Sequence, residues 1–154
     1  YSLYIEAAER GEIWAQLDLG LIYLNGDNVN IDYEQAFFWF NKAAQQGDAW
    51  SQKNLGLMYF SGKYGSQTTT NTKTNKDGGS SYEIVINYDY EKAFDWFHMA
   101  AIQGHDWSQF MTGKMYLDGQ GVEKNFTEGL NWIEKVKDKF DAASDIWEFP
   151  EMYE

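Results

Sequence analysis

Two histidines and a large excess of carboxylates are the residues of this chain best suited to chemistry. His98 lies beside Trp96 and Phe97, and His105 is followed directly by Asp106. A histidine next to an aspartate can transfer protons or bind zinc, but a zinc site requires further ligands at compatible spacings. No third ligand stands at a helical spacing from His105, so we expect both histidines to be surface or helix-capping residues.

The sequence patterns of several known catalytic sites are missing as well. The chain has no G-x-S-x-G string, no P-loop and no dinucleotide-binding fingerprint. Carboxylate pairs are common, but an acidic helical chain carries such pairs on its solvated faces. We therefore predict a protein that is not an enzyme, with no catalytic residue, no metal ion and no cofactor.

The charge of the chain restricts the partners that we expect. Its 154 residues include 24 acidic and 12 basic residues, which gives a formal net charge of −12. Such a surface repels nucleic acid and anionic membranes, whereas a basic protein would be attracted to it. No apolar run approaches the roughly 20 residues of a membrane span, so membrane insertion is not expected. The absence of cysteine fits a cytoplasm and a periplasm equally well.

The aromatic residues recur at fixed spacings. Six of the seven tryptophans form two columns, in which neighbouring members are 36 or 57 residues apart. The first column is Trp14, Trp50 and Trp107, and the second is Trp39, Trp96 and Trp132. Because 57 exceeds 36 by 21, one unit carries a 21-residue insertion between Gly62 and Asp89. So many matches at fixed offsets predict a repeat architecture.

Each unit is predicted to contain two antiparallel helices, A and B. Helix A covers residues 14–25, 49–61 and 106–118, and helix B covers residues 32–46, 89–103 and 125–139. Residues with N-capping side chains begin the B helices: Asp32, Asp89 and Asn125. Gln35 and Glu128 at the N3 position make two of these caps resemble capping boxes.

Glycine also recurs in the middle of helix A, at positions 20, 56 and 113. A glycine inside a helix costs about 1 kcal/mol relative to alanine, so a repeated one needs a repeated reason. We expect another helix to approach closely at each of these positions. Glycines that follow the helices suit the left-handed C′ position: Gly26, Gly47, Gly62, Gly104 and Gly119.

These strings identify a family resemblance. Residues 15–26 read AQLDLGLIYLNG, residues 32–47 read DYEQAFFWFNKAAQQG, and residues 89–104 read DYEKAFDWFHMAAIQG. They resemble Sel-one-like repeats, which belong to the tetratricopeptide-like α/α superfamily. The resemblance covers nearly all of residues 1–139 except the insertion. It implies an all-α solenoid of about three and a half two-helix repeats that binds proteins or peptides and catalyses no reaction.

We divide the chain accordingly as a single solenoid over residues 1–154. Residues 1–13 are the end of a preceding repeat, 14–49 a full repeat, 50–106 a repeat with the insertion 63–87, and 107–140 a degenerate repeat. Residues 141–154 are acidic and aromatic, and they are interpreted either as a C-terminal cap or as a short linear motif for a partner.

The insertion has two interpretations. Its threonine-rich first half, a central Asn-Lys-Asp-Gly-Gly and an alternating second half predict a β-hairpin, with Tyr82, Ile84 and Ile86 on one strand. The alternative is a disordered Thr/Ser/Asn loop. An insertion in one loop of a repeat array often builds binding surface, so we include these three residues among the candidates.

Helix A supplies the remaining candidates for partner binding. A stripe of mixed polarity with the spacing i, i+4, i+7, i+11 is predicted to face solvent, and by resemblance it lines the concave face. Its members are Trp14, Asp18, Leu21 and Asn25; Trp50, Asn54, Leu57 and Ser61; and Trp107, Met111, Lys114 and Asp118. Tryptophan is favoured at binding hot spots. The structural alternative is that each tryptophan covers the end of the preceding helix B.

The function predicted from these features is non-catalytic protein binding in a bacterial cytoplasm or periplasm. A sharper version is an immunity protein that neutralises a basic toxin, since Sel-one-like proteins occur in that role. One alternative is a scaffold or adaptor in an envelope or secretion assembly, and another is a fragment of a longer solenoid. A β-lactam-binding hydrolase is less favoured, because no helical serine is followed three residues later by a lysine.

Overall fold

A computed structural model describes residues 2–64, 72–74, 80–82 and 88–139 of the chain. Its helices are α1 (Ser2–Glu9), α2 (Ile13–Asn25), α3 (Tyr33–Gln45), α4 (Ala49–Ser61), α5 (Tyr90–Ile102), α6 (Asp106–Asp118) and α7 (Phe126–Glu134). Helices α2, α4 and α6 are the predicted A helices, and α3, α5 and α7 are the B helices. Each helix packs against its neighbours in the chain. The all-α solenoid is confirmed.

A backbone hydrogen bond joins each helix A to the helix B that follows it. The N–H of Asp32 donates to the carbonyl of Tyr23 at 2.9 Å, and the N–H of Asp89 donates to the carbonyl of Tyr59 at 3.0 Å. The first bond joins α2 to α3 across a short loop, and the second joins α4 to α5 across the insertion in the same way. The insertion therefore leaves the pairing of α4 with α5 unchanged.

The predicted N-caps are confirmed, but their capping boxes are not formed. The side chain of Asp32 accepts from the N–H of Gln35 at 3.0 Å, and that of Asn125 accepts from the N–H of Glu128 at 3.1 Å. A capping box would also use the backbone N–H of the cap residue. That N–H instead donates to a tyrosine carbonyl of helix A. The cap thus fixes the helix pair as well as the helix end.

The mid-helix glycines lie where helices approach closely, as predicted. A Cβ atom added at Gly56 would lie 2.5 Å from the ring of Phe97 on α5, and one at Gly113 would lie 2.8 Å from the carbonyl oxygen of Gly129. A Cβ at Gly20 would meet the ring of Phe40 in the same way. The middle of helix A therefore contacts the middle of helix B, and their adjoining ends are bonded, so the pair is antiparallel.

Helix α7 is shorter than predicted. It ends at Glu134 and not at residue 139, and the chain continues in turns in which Val136 donates to Ile133 and Lys139 donates to Val136. Val136 stands where the earlier B helices have an alanine. A branched β-carbon restricts side-chain freedom in a helix, which weakens the helix at this point.

Six residues of the insertion have a described backbone. Strand β1 (Thr72–Thr74) pairs antiparallel with strand β2 (Ser80–Tyr82), with Thr72 opposite Tyr82. The predicted second strand lies within Ser80–Asn87, and β2 covers the first three residues of that segment. The rest of the insertion from residue 65 to residue 87, and the predicted cap 141–154, lie outside the described residues.

Candidate protein-binding face

A glutamine at the start of each helix A bonds that helix to the preceding helix B. The side-chain amide of Gln16 donates to the carbonyl of Ala8 at 2.9 Å. That of Gln52 donates to Ala44 at 3.2 Å, and that of Gln109 donates to Ala101 at 3.1 Å. Sequence reasoning missed these bonds, although the glutamines share the 36- and 57-residue offsets.

A second glutamine extends the connection to the next unit. Gln46, just after α3, donates to the side-chain oxygen of Gln16 at 2.8 Å, and Gln103, just after α5, donates to that of Gln52 at 2.8 Å. Each amide pair is thus held between three helices. These bonds fix the N-terminal turns of α2 and α4, from which the tryptophans of the predicted stripe project.

The predicted stripe is accessible at its tryptophan end. Trp14 is 55% exposed and Trp50 is 58% exposed. Trp14 contacts Tyr4 of α1 edge-on at 5.9 Å between ring centroids, so it partly covers the preceding helix. Trp107 is half-buried and packs edge-on against Phe97 at 5.4 Å. Of the three tryptophans, Trp14 and Trp50 are therefore open to a partner, whereas Trp107 is partly buried in the core.

Two residues of the stripe are buried, which corrects their assignment to a solvent face. Met111 is 1% exposed and belongs to a core cluster with Phe97 and Met115, while Asn54 is 5% exposed. The predicted stripe follows from the geometry of a single helix. Neighbouring units cover that face unequally, and an apolar side chain such as Met111 gains free energy by turning into the core.

The other members of the stripe are reachable from solvent to differing degrees. Asn25 and Asp118 are exposed, and Lys114 pairs with Asp118 at 2.7 Å. Three further candidates are half-buried: Asp18, Leu21 and Ser61. Leu57 is also half-buried, and it packs against the core cluster of α4 to α6. The side chains of the insertion candidates lie outside the described part of the chain: Tyr82, Ile84 and Ile86.

Lys53 lies on this face between two tryptophans. Its Nζ atom is 5.9 Å from the ring centroid of Trp50 and 5.7 Å from that of Trp107, and it donates to the side-chain oxygen of Asn54 at 3.4 Å. The side chain is half-buried, and desolvation lowers the pKa of its amine below the ordinary lysine value. Sequence reasoning did not select Lys53, because its burial depends on Trp107 of the next unit.

His105 is a helix cap, as predicted. Its Nδ1 atom accepts the backbone N–H of Ser108 at 3.2 Å, and its ring meets Trp50 edge-on at 4.8 Å. Burial lowers the pKa of His105 and the charge of Lys53 lowers it further, against the opposing influence of the nearby carboxylates Asp106 and Asp48. A neutral ring whose Nδ1 accepts carries its proton on Nε2.

The other histidine has a packing role. His98 stacks on Phe94 at 5.5 Å and meets Trp132 edge-on at 5.6 Å. Within the described ranges, no three His, Cys, Asp or Glu side chains are grouped so that they could hold a metal ion. Among those same residues, no helix is both long and apolar enough to cross a membrane.

The repeat units match a known family model. The model of the Sel1 repeat matches residues 15–48, 51–71, 83–105 and 108–136, which is more than half of the chain. The chain belongs to the Sel1 repeat family. Sel1 repeats mediate protein–protein interaction and are typically non-catalytic scaffolds, so the predicted class of function, protein binding, is the one that the family supports.

Solved structures share the Sel1 fold. One is a protective antigen present in uropathogenic Escherichia coli strains, with 32% identity and a TM-score of 0.70 over 88% of this chain. This chain spans only 25% of that antigen. A Sel1 repeat protein from Oxalobacter formigenes has 28% identity and a TM-score of 0.67, covering 90% of this chain and 89% of its own.

A third structure, cysteine rich protein B of Helicobacter pylori, has 21% identity and a TM-score of 0.58. It covers 94% of this chain and 86% of its own, and at this identity it shows the fold alone. No curated protein matches the chain by sequence.

The matched Sel1 segments continue on both sides of the insertion. The second segment ends at residue 71 and the third begins at residue 83, so the expanded loop separates two halves of one unit. This agrees with the hydrogen bond between Tyr59 and Asp89 that closes α4 against α5.

Proposed function

We propose that this Sel1 array is a non-catalytic module that binds a protein or peptide through the face formed by helices α2, α4 and α6. The observation that carries the proposal is Trp50, whose large apolar ring is more than half exposed at the start of α4. Tryptophan is enriched at protein interfaces, because its large ring buries much apolar area while its N–H can still find a hydrogen-bond partner.

Trp50 is also held in place. Its ring meets His105 edge-on, and α4 is tied to both flanking B helices through Gln52. An indole with few remaining degrees of freedom loses little conformational entropy on binding, so more of its buried area contributes to affinity. This is the behaviour of a binding hot spot.

The proposal extends to the partner and the setting. The net charge of −12 favours a basic protein, and a toxin neutralised by this chain is the sharper version of the hypothesis. The alternative is an adaptor in a bacterial envelope or secretion assembly. A bacterial setting is supported by the similarity to Sel1 proteins of Escherichia coli and Oxalobacter formigenes.

The test uses peptides enriched on the immobilised chain from a displayed random library. We expect Trp50→Ala to weaken their binding at least tenfold, about 1.4 kcal/mol, as measured by titration calorimetry. Phe38→Ala is the matched control, since Phe38 is also an exposed aromatic residue (47%) but lies on α3. Equal losses in both variants, or no loss in Trp50→Ala, would contradict the assignment of the binding face.

A further inference from the structure

The repeat itself provides a reference for what is unusual on the binding face. The position of Lys53 in α4 is occupied by Leu17 in α2 and by Phe110 in α6. All three side chains are intermediate in burial. Two units therefore place an apolar residue there, and the middle unit places a cation that must be partly desolvated. A charge in such a place is unfavourable unless something compensates for it.

Two neighbouring columns change in the same direction. The N-cap residue of helix A is Glu12 in α2 and Asp48 in α4, but it is His105 in α6. The residue after the Lys53 column is Asp18 in α2 but Asn54 in α4. Both Asn54 and His105 adjoin Lys53, so neutral groups stand beside this cation at two positions where other units have a carboxylate, while Asp48 and Asp106 remain near His105.

Lys53 lacks a counter-ion within the described residues. Four lysines form ion pairs with carboxylates there, at positions 92, 114, 137 and 139. Lys53 forms none, and unlike the exposed unpaired lysines 42, 124 and 135 it is half-buried. The amine of Lys53 has three N–H donors, and one of them donates to the side-chain oxygen of Asn54. The amine of Lys53 is thus a half-buried cation whose remaining donors have no carboxylate acceptor among the described residues.

We infer that Lys53 forms a carboxylate-binding site with Trp50, Trp107 and His105, and that it receives an acidic group presented by the bound peptide. The amine donates a charge-assisted hydrogen bond, which is strengthened by partial exclusion of water. The two indole rings contact the apolar part of the segment that carries the carboxylate. The inference rests on the proposed binding face, and a partner that is basic overall would supply one acidic residue here.

The test monitors the indole N–H signals of the tryptophans by NMR during titration with small probes. The first probe is N-acetyl-glutamate α-amide, which carries only a side-chain carboxylate, and the second is the corresponding glutamine compound. We expect the first to shift the Trp50 and Trp107 signals saturably and the second to leave them unchanged. N-acetylglycine carries only a terminal carboxylate. Comparing its affinity with that of the glutamate compound shows whether the site prefers a side-chain carboxylate or a chain terminus.

Lys53→Met is the decisive variant, because methionine fills the space in the way that Leu17 and Phe110 do and should fold at least as stably. We expect its affinity for the acidic probe to fall at least tenfold, and Lys53→Arg to retain most of it. Absence of a saturable shift, or an equal shift in Lys53→Met, would overturn the site. If Trp50→Ala still weakened peptide binding in that case, the binding face would stand without its carboxylate site.

Discussion

At the residue scale, His105 combines a structural contact with a place on the proposed binding face. Its Nδ1 atom caps α6, which requires the ring to be unprotonated at that nitrogen, and its ring lies against Trp50 and near Lys53. Protonation would therefore remove the cap and add a positive charge beside a lysine. Both effects agree with the lowered pKa of His105.

We expect the stability of the protein to depend on the protonation of His105. Because its pKa is lower in the folded than in the unfolded state, stability is unaffected well above pH 6.5, the ordinary histidine value, and is lost as pH falls from there to the folded pKa. Urea denaturation between about pH 7.5 and pH 5.5 measures this loss. His105→Asn keeps a capping side chain without the titration.

The control for this experiment is His98→Asn, since His98 packs against Phe94 and Trp132 without capping a helix. If His105→Asn loses stability over this range as steeply as the parent, the histidine cap is not the group responsible.

At the element scale, the close packing of helix A on helix B depends on glycines in the middle of helix A, which leave room for the side chains of helix B. Gly20, Gly56 and Gly113 lower the helix propensity of the A helices, yet they admit the rings of Phe40 and Phe97 and the side chain of Ile133. Phe97 is fully buried, so its ring has no free space into which to withdraw. The packing gained there outweighs the lower helix propensity of glycine.

Gly56→Leu should destabilise the protein by about 1–3 kcal/mol through overpacking against Phe97. Denaturant melts of the parent and variant measure the change. The double variant Gly56→Leu with Phe97→Ala should lose less than the sum of the two single losses, because the ring that clashes is gone. A midpoint for Gly56→Leu that is unchanged or raised would show that the face is open.

At the scale of the whole molecule, the base of the insertion packs against the solenoid. Tyr64 packs on Tyr59 at 4.6 Å and on Phe37 at 6.2 Å, so the first residues after α4 belong to the core. The shorter loop between Gly26 and Asp32 has five residues. A matching loop would keep Lys63, Tyr64 and Tyr88 and replace residues 65–87 by two residues.

We predict that this shortened chain keeps its melting temperature within about 4 °C of the parent, the upper end of the shift that roughly 1 kcal/mol produces in a domain of this size. Binding of the selected peptides should fall at least tenfold if the insertion contributes to recognition. Tyr64→Ala in the intact chain should lower the melting temperature, which separates the base of the insertion from its tip. Unchanged peptide binding by the shortened chain would make the insertion a passive loop.

The repeat, the caps and the helix-packing glycines could be predicted from the sequence, because each depends on contacts that recur at a fixed spacing. Asp32 caps the helix that begins next to it, and Gly56 recurs because every unit makes the same crossing. The family resemblance follows from the same columns.

Only the tertiary structure decided which side chains of helix A are available to a partner. Asn54 and Met111 occupy the same column as Asp18, yet they are buried because neighbouring units surround them. Lys53 became a candidate only through its position between Trp50 and Trp107, which belong to different units. Periodicity predicts the face of a helix, but burial and electrostatic environment depend on residues that the fold brings together from distant parts of the chain.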